Sequence, residues 1–183
     1  ITTCENKIRT KKTSPELSEF ETWNHLDPQI FLTSYLEFRS MFHLLSIKPK
    51  SRIIDLGAAY CRAAFVLDRH YPETHFIGIE CVEDRLIEAS RVLQQNEISN
   101  FTLICANLSD ENFHIPEGDF YFLYDCGTSH DIKKTLNKLQ QLEPKTTAAL
   151  VARGARVRDI IKREQPWLNC QHENDNFNVY LFC

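Results

Sequence analysis

From Arg52 onward, short unbroken runs of apolar residues alternate with longer stretches in which apolar residues return every three or four positions. The short runs, rich in Ile, Phe and Val and bounded by turn residues, read as buried strands. The three-to-four spacing reads as helices with one apolar face. The alternation predicts strand RIIDLG, a helix from about Cys61 to His70, strand HFIGIE, helix DRLIEASRVLQQNE and strand FTLICA. After a loop with Pro116 and Gly118 come strand DFYFLYD, helix HDIKKTLNKLQQL, strand TAALVA and helix ARVRDIIKRE. Upstream, Phe31, Tyr35, Phe38, Phe42 and Leu45 recur at helical spacing and predict one more amphipathic helix, ended by Pro49. The last segments, WLNCQHEN and NFNVYLFC, lie too close together for a helix between them and predict an antiparallel hairpin.

Strands alternating with helices, each strand apolar on both faces, indicate a parallel sheet covered on both sides. The expected fold is therefore α/β: a doubly wound, mostly parallel seven-stranded sheet in three layers, closed by the C-terminal antiparallel hairpin. The first fifteen residues are polar and cationic without an apolar period, which predicts a mobile arm or an edge-packed lead-in. Residues 1–28 are read as that arm and lead-in, and residues 29–183 as the domain.

A length of 183 residues suits one core, and 43% hydrophobic with 25% charged residues is an ordinary globular balance. A formal net charge of −4 gives no global attraction to phosphate backbones, so a nucleic-acid partner is disfavoured and a protein or small molecule favoured. No apolar run is long enough to span a bilayer and no cationic, apolar leader is visible, which gives a soluble, cytoplasmic protein with no membrane partner as the expectation. Cys61, Cys81, Cys105 and Cys126 sit within or beside apolar runs and are expected to be small buried hydrophobes with reduced thiols. No cysteine pair has the close spacing of a zinc site, and no metal is called for.

In an open parallel sheet, ligands sit beyond the carboxyl ends of the strands. Those ends read Asp55-Leu56-Gly57-Ala58-Ala59-Tyr60, then Glu80-Cys81, then Ala106-Asn107-Leu108, then Tyr124-Asp125-Cys126-Gly127. Three offer a carboxylate and one an amide. A glycine at 57 permits a tight turn and close approach of a ligand to the backbone, and a carboxylate ending the next strand can accept both hydroxyls of a ribose.

In these two motifs, IIDLGAAYC and HFIGIE, the chain resembles the class I methyltransferases, and the closing hairpin extends the resemblance from about Ile30 to the C-terminus. The resemblance implies S-adenosylmethionine (SAM) as cofactor and methyl transfer to an unidentified acceptor as activity. It implies a cofactor site drawn from Tyr35, Asp55, Gly57, Ala58, Ala59, Tyr60, Glu80, Cys81, Asn107, Leu108 and Asp125, with Asn107 near the adenine. Asp125 stands where the family's fourth-strand motif faces the transferred methyl, so it is the candidate catalytic residue, able to orient or deprotonate an amine. Capping of the next helix by Thr128 or Ser129 beside a solvated Asp125 is the plainer alternative, as a turn role is for Asn107. Tyr35, Tyr60 and Tyr124 are further candidates for the substrate side. The stretches LTSYLEFRSMFHLLSIKPKSRIIDLG and LYDCGTSHDIKKTLNKLQQL also resemble, more weakly, the seven-strand lysine methyltransferases, but Asp125-Cys126 replaces their amide-aromatic pair.

The family's turn usually carries three glycines, and this chain keeps Gly57 alone, with Ala59 and Cys61 in the other two places. Added bulk there is expected to narrow the approach to the ligand and the packing of the following helix on the sheet. That departure supports an alternative function, a methyltransferase-like module that binds or scaffolds without catalysis. A nicotinamide-dependent oxidoreductase is a third possibility, but the GxGxxG turn is missing.

Overall fold

The computed structural model describes residues 2–11, 32–142 and 148–183. Among these the elements are α1 (Thr2–Lys11), α2 (Tyr35–Leu44), β1 (Arg52–Leu56), α3 (Arg62–His70), β2 (His75–Glu80), α4 (Glu83–Gln95) and β3 (Phe101–Cys105). They continue with β4 (Phe120–Tyr124), α5 (Ser129–Gln140), β5 (Ala149–Arg153), α6 (Ala155–Glu164), β6 (Leu168–Glu173) and β7 (Phe177–Phe182). The division expected at residue 28, and Phe31 of the first helical stripe, lie outside the described residues.

The seven strands form one sheet in the order β3-β2-β1-β4-β5-β7-β6. β1 to β5 pair in parallel, and β7 runs antiparallel to both β5 and β6. The doubly wound sheet with a terminal hairpin is thus the architecture the apolar rhythm predicts. Successive strand residues face opposite ways, so β1 sends Ile53 to one layer and Ile54 to the other. On the first face Phe38, Met41 and Phe42 of α2, Ala63, Ala64 and Leu67 of α3, and Leu86, Ala89 and Leu93 of α4 pack on Phe76, Phe122 and Val151. On the second face Ile132, Leu136 and Leu139 of α5 join Val157, Ile160 and Ile161 of α6 over Ile77, Tyr121 and Leu150. Phe42 meets Phe122 edge-on at 5.2 Å between ring centroids, which fixes α2 against the middle of the sheet.

The two alternatives for the N-terminal arm are decided, and two details differ from expectation. Residues 2–11 are a helix docked on α4, with Glu5 and Ile8 buried and the Cys4 thiol donating to the Asp84 carbonyl at 3.6 Å, so this part of the arm is packed. The N-terminal end of α2 also departs: Ser34 caps it by accepting from Glu37 N, and Tyr35 is 49% exposed, so the buried stripe begins at Phe38. Finally, Cys81 and Cys105 are exposed, whereas Cys61 is buried and Cys126 half-buried. Cys105 ends the edge strand β3 and Cys81 follows the end of its neighbour β2, positions that local apolar context does not distinguish from the sheet interior.

The loop between β3 and β4 is tied down chiefly by Lys138. Lys138 of α5 donates to the carbonyls of Leu108 at 2.8 Å and Phe113 at 3.0 Å, and also to that of Asp110. The Ser109 hydroxyl donates to Asp131 at 2.6 Å, and Asp131 forms a capping box with Thr128 at the start of α5.

Candidate functional site

The strand order reverses at β1, which has β2 on one side and β4 on the other, and the carboxyl ends of these strands bound the crevice where ligands bind in such sheets. The turn after β1 has a left-handed backbone at all three positions where the family places glycine: Gly57 at φ +89°, Ala59 at +46° and Cys61 at +54°. The chain therefore builds the glycine-rich turn with two side chains that resist it, at about 1 kcal/mol or more apiece. Backbone bonds hold the shape. Gly57 N and Ala58 N both donate to the Ile79 carbonyl at 2.9 Å, and Cys61 N donates to the Ala58 carbonyl at 2.7 Å.

Two neighbours make room for the turn. A methyl group on Gly57 would stand 3.0 Å from the Cβ of Cys126, so the absent side chain lets the end of β4 close against the turn. The bulk of Cys61 is absorbed by Gly78 in β2, where a Cβ would lie 2.8 Å from the Cys61 sulfur. The crowding expected at Cys61 is relieved by a second glycine on the adjacent strand. Burial pushes the Cys61 thiol well above its ordinary value, with Asp55 and Glu80 adding to it, so this thiol is an inert packing group.

Glu80 points into the turn. Its Oε2 accepts from Ala59 N at 3.0 Å, and its Oε1 accepts from Val82 N at 3.0 Å and from the Cys81 thiol at 3.4 Å. The side chain is 6% exposed by residue, and it links the β1 turn to the start of α4. Each carboxylate oxygen has two lone pairs, and Oε2 uses one of them on an amide. Asp55, one strand over, is 9% exposed and has no hydrogen-bond partner among the described residues. Burial, and then the charge of Glu80, push its carboxyl up to about 7. A buried carboxylate without a donor is suited to a cation, and the two acceptors of the crevice fit a ligand that brings hydroxyls to Glu80 and positive charge to Asp55.

A network absent from the sequence reading covers this corner. Glu5 of α1, 3% exposed, accepts from the Tyr60 hydroxyl at 2.7 Å and from Arg85 Nε at 2.8 Å. Arg85 Nη2 reaches its other oxygen at 3.4 Å, while Nη1 stands 3.7 Å from Glu80 Oε1. Burial and the bond to Glu5 push the Tyr60 phenol far above its ordinary value. Tyr60 is thus a buried donor to α1. Arg85 is the third residue of α4, and nothing in the local pattern links it to Glu5.

The remaining candidates are dispersed. Asn107 uses its side-chain oxygen on Ser109 N at 2.9 Å, the turn role, and Leu108 packs against the second core face. Asp125 accepts from Val157 N at 2.7 Å with one oxygen and from Arg156 N at 3.3 Å with the other, so its carboxylate caps α6. Gly154 is required beside it, since a Cβ there would lie 2.3 Å from the Asp125 carboxyl carbon. Thr128 caps α5, as the plainer reading expected. Tyr124 lies under the Arg153 guanidinium at 3.9 Å, and Arg153 Nε donates to Glu37 of α2 at 2.5 Å. Tyr35 carries the Arg62 guanidinium 5.3 Å from its ring centroid, while Arg62 donates to the Thr33 carbonyl. These two arginine-aromatic pairs line the α2 side of the same sheet edge; the two tyrosines were candidates from the sequence, whereas Arg62 and Arg153 were not. Among the described residues no group of three or more His, Cys, Asp and Glu side chains is arranged to hold a metal ion.

No protein-family model matches the chain, and no curated protein matches it in sequence. Solved structures do resemble it. TrmN from Thermus thermophilus superposes with a TM-score of 0.67 at 16% identity over 82% of this chain, which spans about half, 49%, of that protein. A SAM dependent methyltransferase from Aquifex aeolicus gives 0.62 at 13% identity, covering 97% of both chains. An rRNA methylase from Streptococcus thermophilus gives 0.57 at 14% identity, covering 82% of this chain and 97% of that one. Together with the strand order and the antiparallel β7, these likenesses establish that the chain has the fold of the class I SAM-dependent methyltransferases.

Proposed function

We propose that the protein binds SAM in the crevice between the carboxyl ends of β1 and β2 and transfers its methyl group to an acceptor. The observation that carries this reading is the pairing of Glu80, aimed into a turn of glycine-like backbone shape, with Asp55, a buried carboxylate lacking a donor. Glu80 would hold the ribose hydroxyls with its remaining lone pairs, and Asp55 would face the cationic methionyl end. The bound cofactor supplies an activated methyl group on a sulfonium. The chain's own part is to orient the cofactor on the turn, keep water out, and present an acceptor from the α2 side, where Tyr35, Tyr124 and Arg153 lie. Asp125 serves this arrangement by capping α6 and keeping the loop at Gly154 in place.

The acceptor class stays open on the fold alone. A negative formal charge argues for a protein or small molecule, while an rRNA methylase among the solved structures of this fold keeps RNA within the range to be tested. Among the described residues no helix is long and apolar enough to cross a membrane.

A second reading rests on Ala59 and Cys61: a module of this fold that binds partners without catalysing. Calorimetric titration with S-adenosylhomocysteine (SAH) tests the first reading. Binding in the micromolar range, weakened at least about tenfold by Glu80→Gln through loss of a charge-assisted acceptor, supports it. No heat with either SAM or SAH would leave the non-catalytic module as the better description.

A further inference from the structure

The two carboxylates of the crevice are unequally provided for. β1 pairs Asp55 with Gly78, and Glu80 stands two residues further along β2 on the same face. Glu80 accepts from two backbone amides and has the Arg85 guanidinium 3.7 Å away, so its negative charge is stabilised where it stands. Asp55, also buried, has neither a donor nor an ion-pair partner among the described residues. Of two neighbouring buried acids, the one without donors is the one that holds a proton. The other groups around it do not take over that part. The Cys61 sulfur fills the space over Gly78, and burial holds its thiol well above its ordinary value; the Cys126 thiol, against the Gly57 turn, is pushed up to about 12. On the opposite side β4 pairs Phe122 with Asp55 and carries Tyr124 two residues on, but the guanidinium over that ring, Arg153, is bonded to Glu37.

We propose that Asp55 selects a ligand carrying an ammonium group by exchanging its own proton for that cation: protonated in the unliganded protein, it ionises as the cofactor's methionyl ammonium arrives, and the proton leaves to solvent. The inference rests on the cofactor site proposed above. The exchange adds no net charge beside Glu80, whereas an ammonium facing a neutral Asp55, or an ionised Asp55 without an ammonium, would leave a buried charge uncompensated. Burial and the charge of Glu80 set the Asp55 carboxyl at about 7, so the exchange falls in the neutral range. Affinity then rises with pH as the competing proton is lost, and levels off once Asp55 is ionised without help.

The test is calorimetric titration of the full chain with SAH, which carries the same ammonium, in two buffers of different ionisation enthalpy, so that released protons are counted. Wild type is expected to release close to one proton per SAH at pH 6 and few at pH 8, and to bind about tenfold more tightly at pH 8. Asp55→Asn has no proton to give. It is expected to release none at pH 6 and to keep its affinity within about twofold between the two pH values. Methylthioadenosine, which has the adenosine and sulfur of SAH without the amino-acid tail, is expected to bind wild type more weakly and release no proton, and it decides the matter if Asp55→Asn does not fold. SAH binding without proton release at pH 6, release undiminished in Asp55→Asn, or equal release with methylthioadenosine and SAH overturns the inference. If wild type takes up no SAH at either pH, the proposed function falls together with it; if wild type binds SAH and releases no proton, only the exchange at Asp55 falls.

Discussion

Ala59 and Cys61 pay for their left-handed backbone in different ways, and this separates two substitutions that look alike in the sequence. Ala59→Gly removes a strained Cβ at φ +46° and adds only the usual entropy cost of glycine, so stability should rise by about 0.5–1 kcal/mol in urea unfolding. Cys61→Gly relieves similar strain but empties the space that Gly78 leaves for the sulfur. Gly78→Ala should therefore be more costly in wild type than in the Cys61→Gly background, with a coupling of about 1 kcal/mol in a double-mutant cycle. Asp55 gives a prediction in pH. Its folded carboxyl sits at about 7 against an ordinary 3.8, so between those values the native chain holds a proton that the unfolded chain has lost. That contribution to stability is fully present at the acidic end of the window and is lost as pH rises through it. Asp55→Asn should flatten the fall of the melting temperature between pH 4 and pH 7 relative to wild type; parallel curves for the two proteins would contradict the assignment. At this scale Gly57 and Glu80 were readable because a turn and a strand end are local features. The exposure of Cys81 and Cys105 was not, because it depends on which strand lies at the edge of the sheet.

Among the elements, Asp125 belongs to α6. Both oxygens accept amides at the N-terminus of that helix, so Asp125→Ala should cost about 1–2 kcal/mol. Asp125→Asn, which keeps one acceptor, should cost less and leave SAH affinity within about twofold of wild type, as the capping role requires. A collapse of SAH affinity in Asp125→Asn would return this residue to the cofactor site. α2 is held by aromatic packing, and Phe42→Ala, which removes a ring wholly buried against Phe122, should cost about 3–5 kcal/mol. Helices and strands with a regular apolar face were predicted within a residue or a few of their observed ends. α1 was not, since its sequence TTCENKIRTK buries a glutamate along with Ile8 and has no apolar period to read. Its docking depends on Arg85, eighty residues away, and such a pairing leaves no trace in local spacing.

For the whole molecule, the order β3-β2-β1-β4-β5-β7-β6 sets the turn of β1 beside the end of β2 and so brings Glu80 to Asp55 and Gly57. The parallel alternation and the closing hairpin were visible in the sequence because strands buried on both faces have an unmistakable apolar density. The cover of α1 over Tyr60 and Arg85 is a tertiary property and became visible only in the structure. The account stands most directly on where the adenosine of a bound ligand lies. A crystal structure of the protein with SAH is expected to show the ribose hydroxyls within hydrogen-bond distance of Glu80 and the methionyl amine on the Asp55 side of the Gly57 turn. A ligand bound elsewhere on the sheet, or a saturated crystal in which Glu80 makes no contact with the ligand, would contradict it.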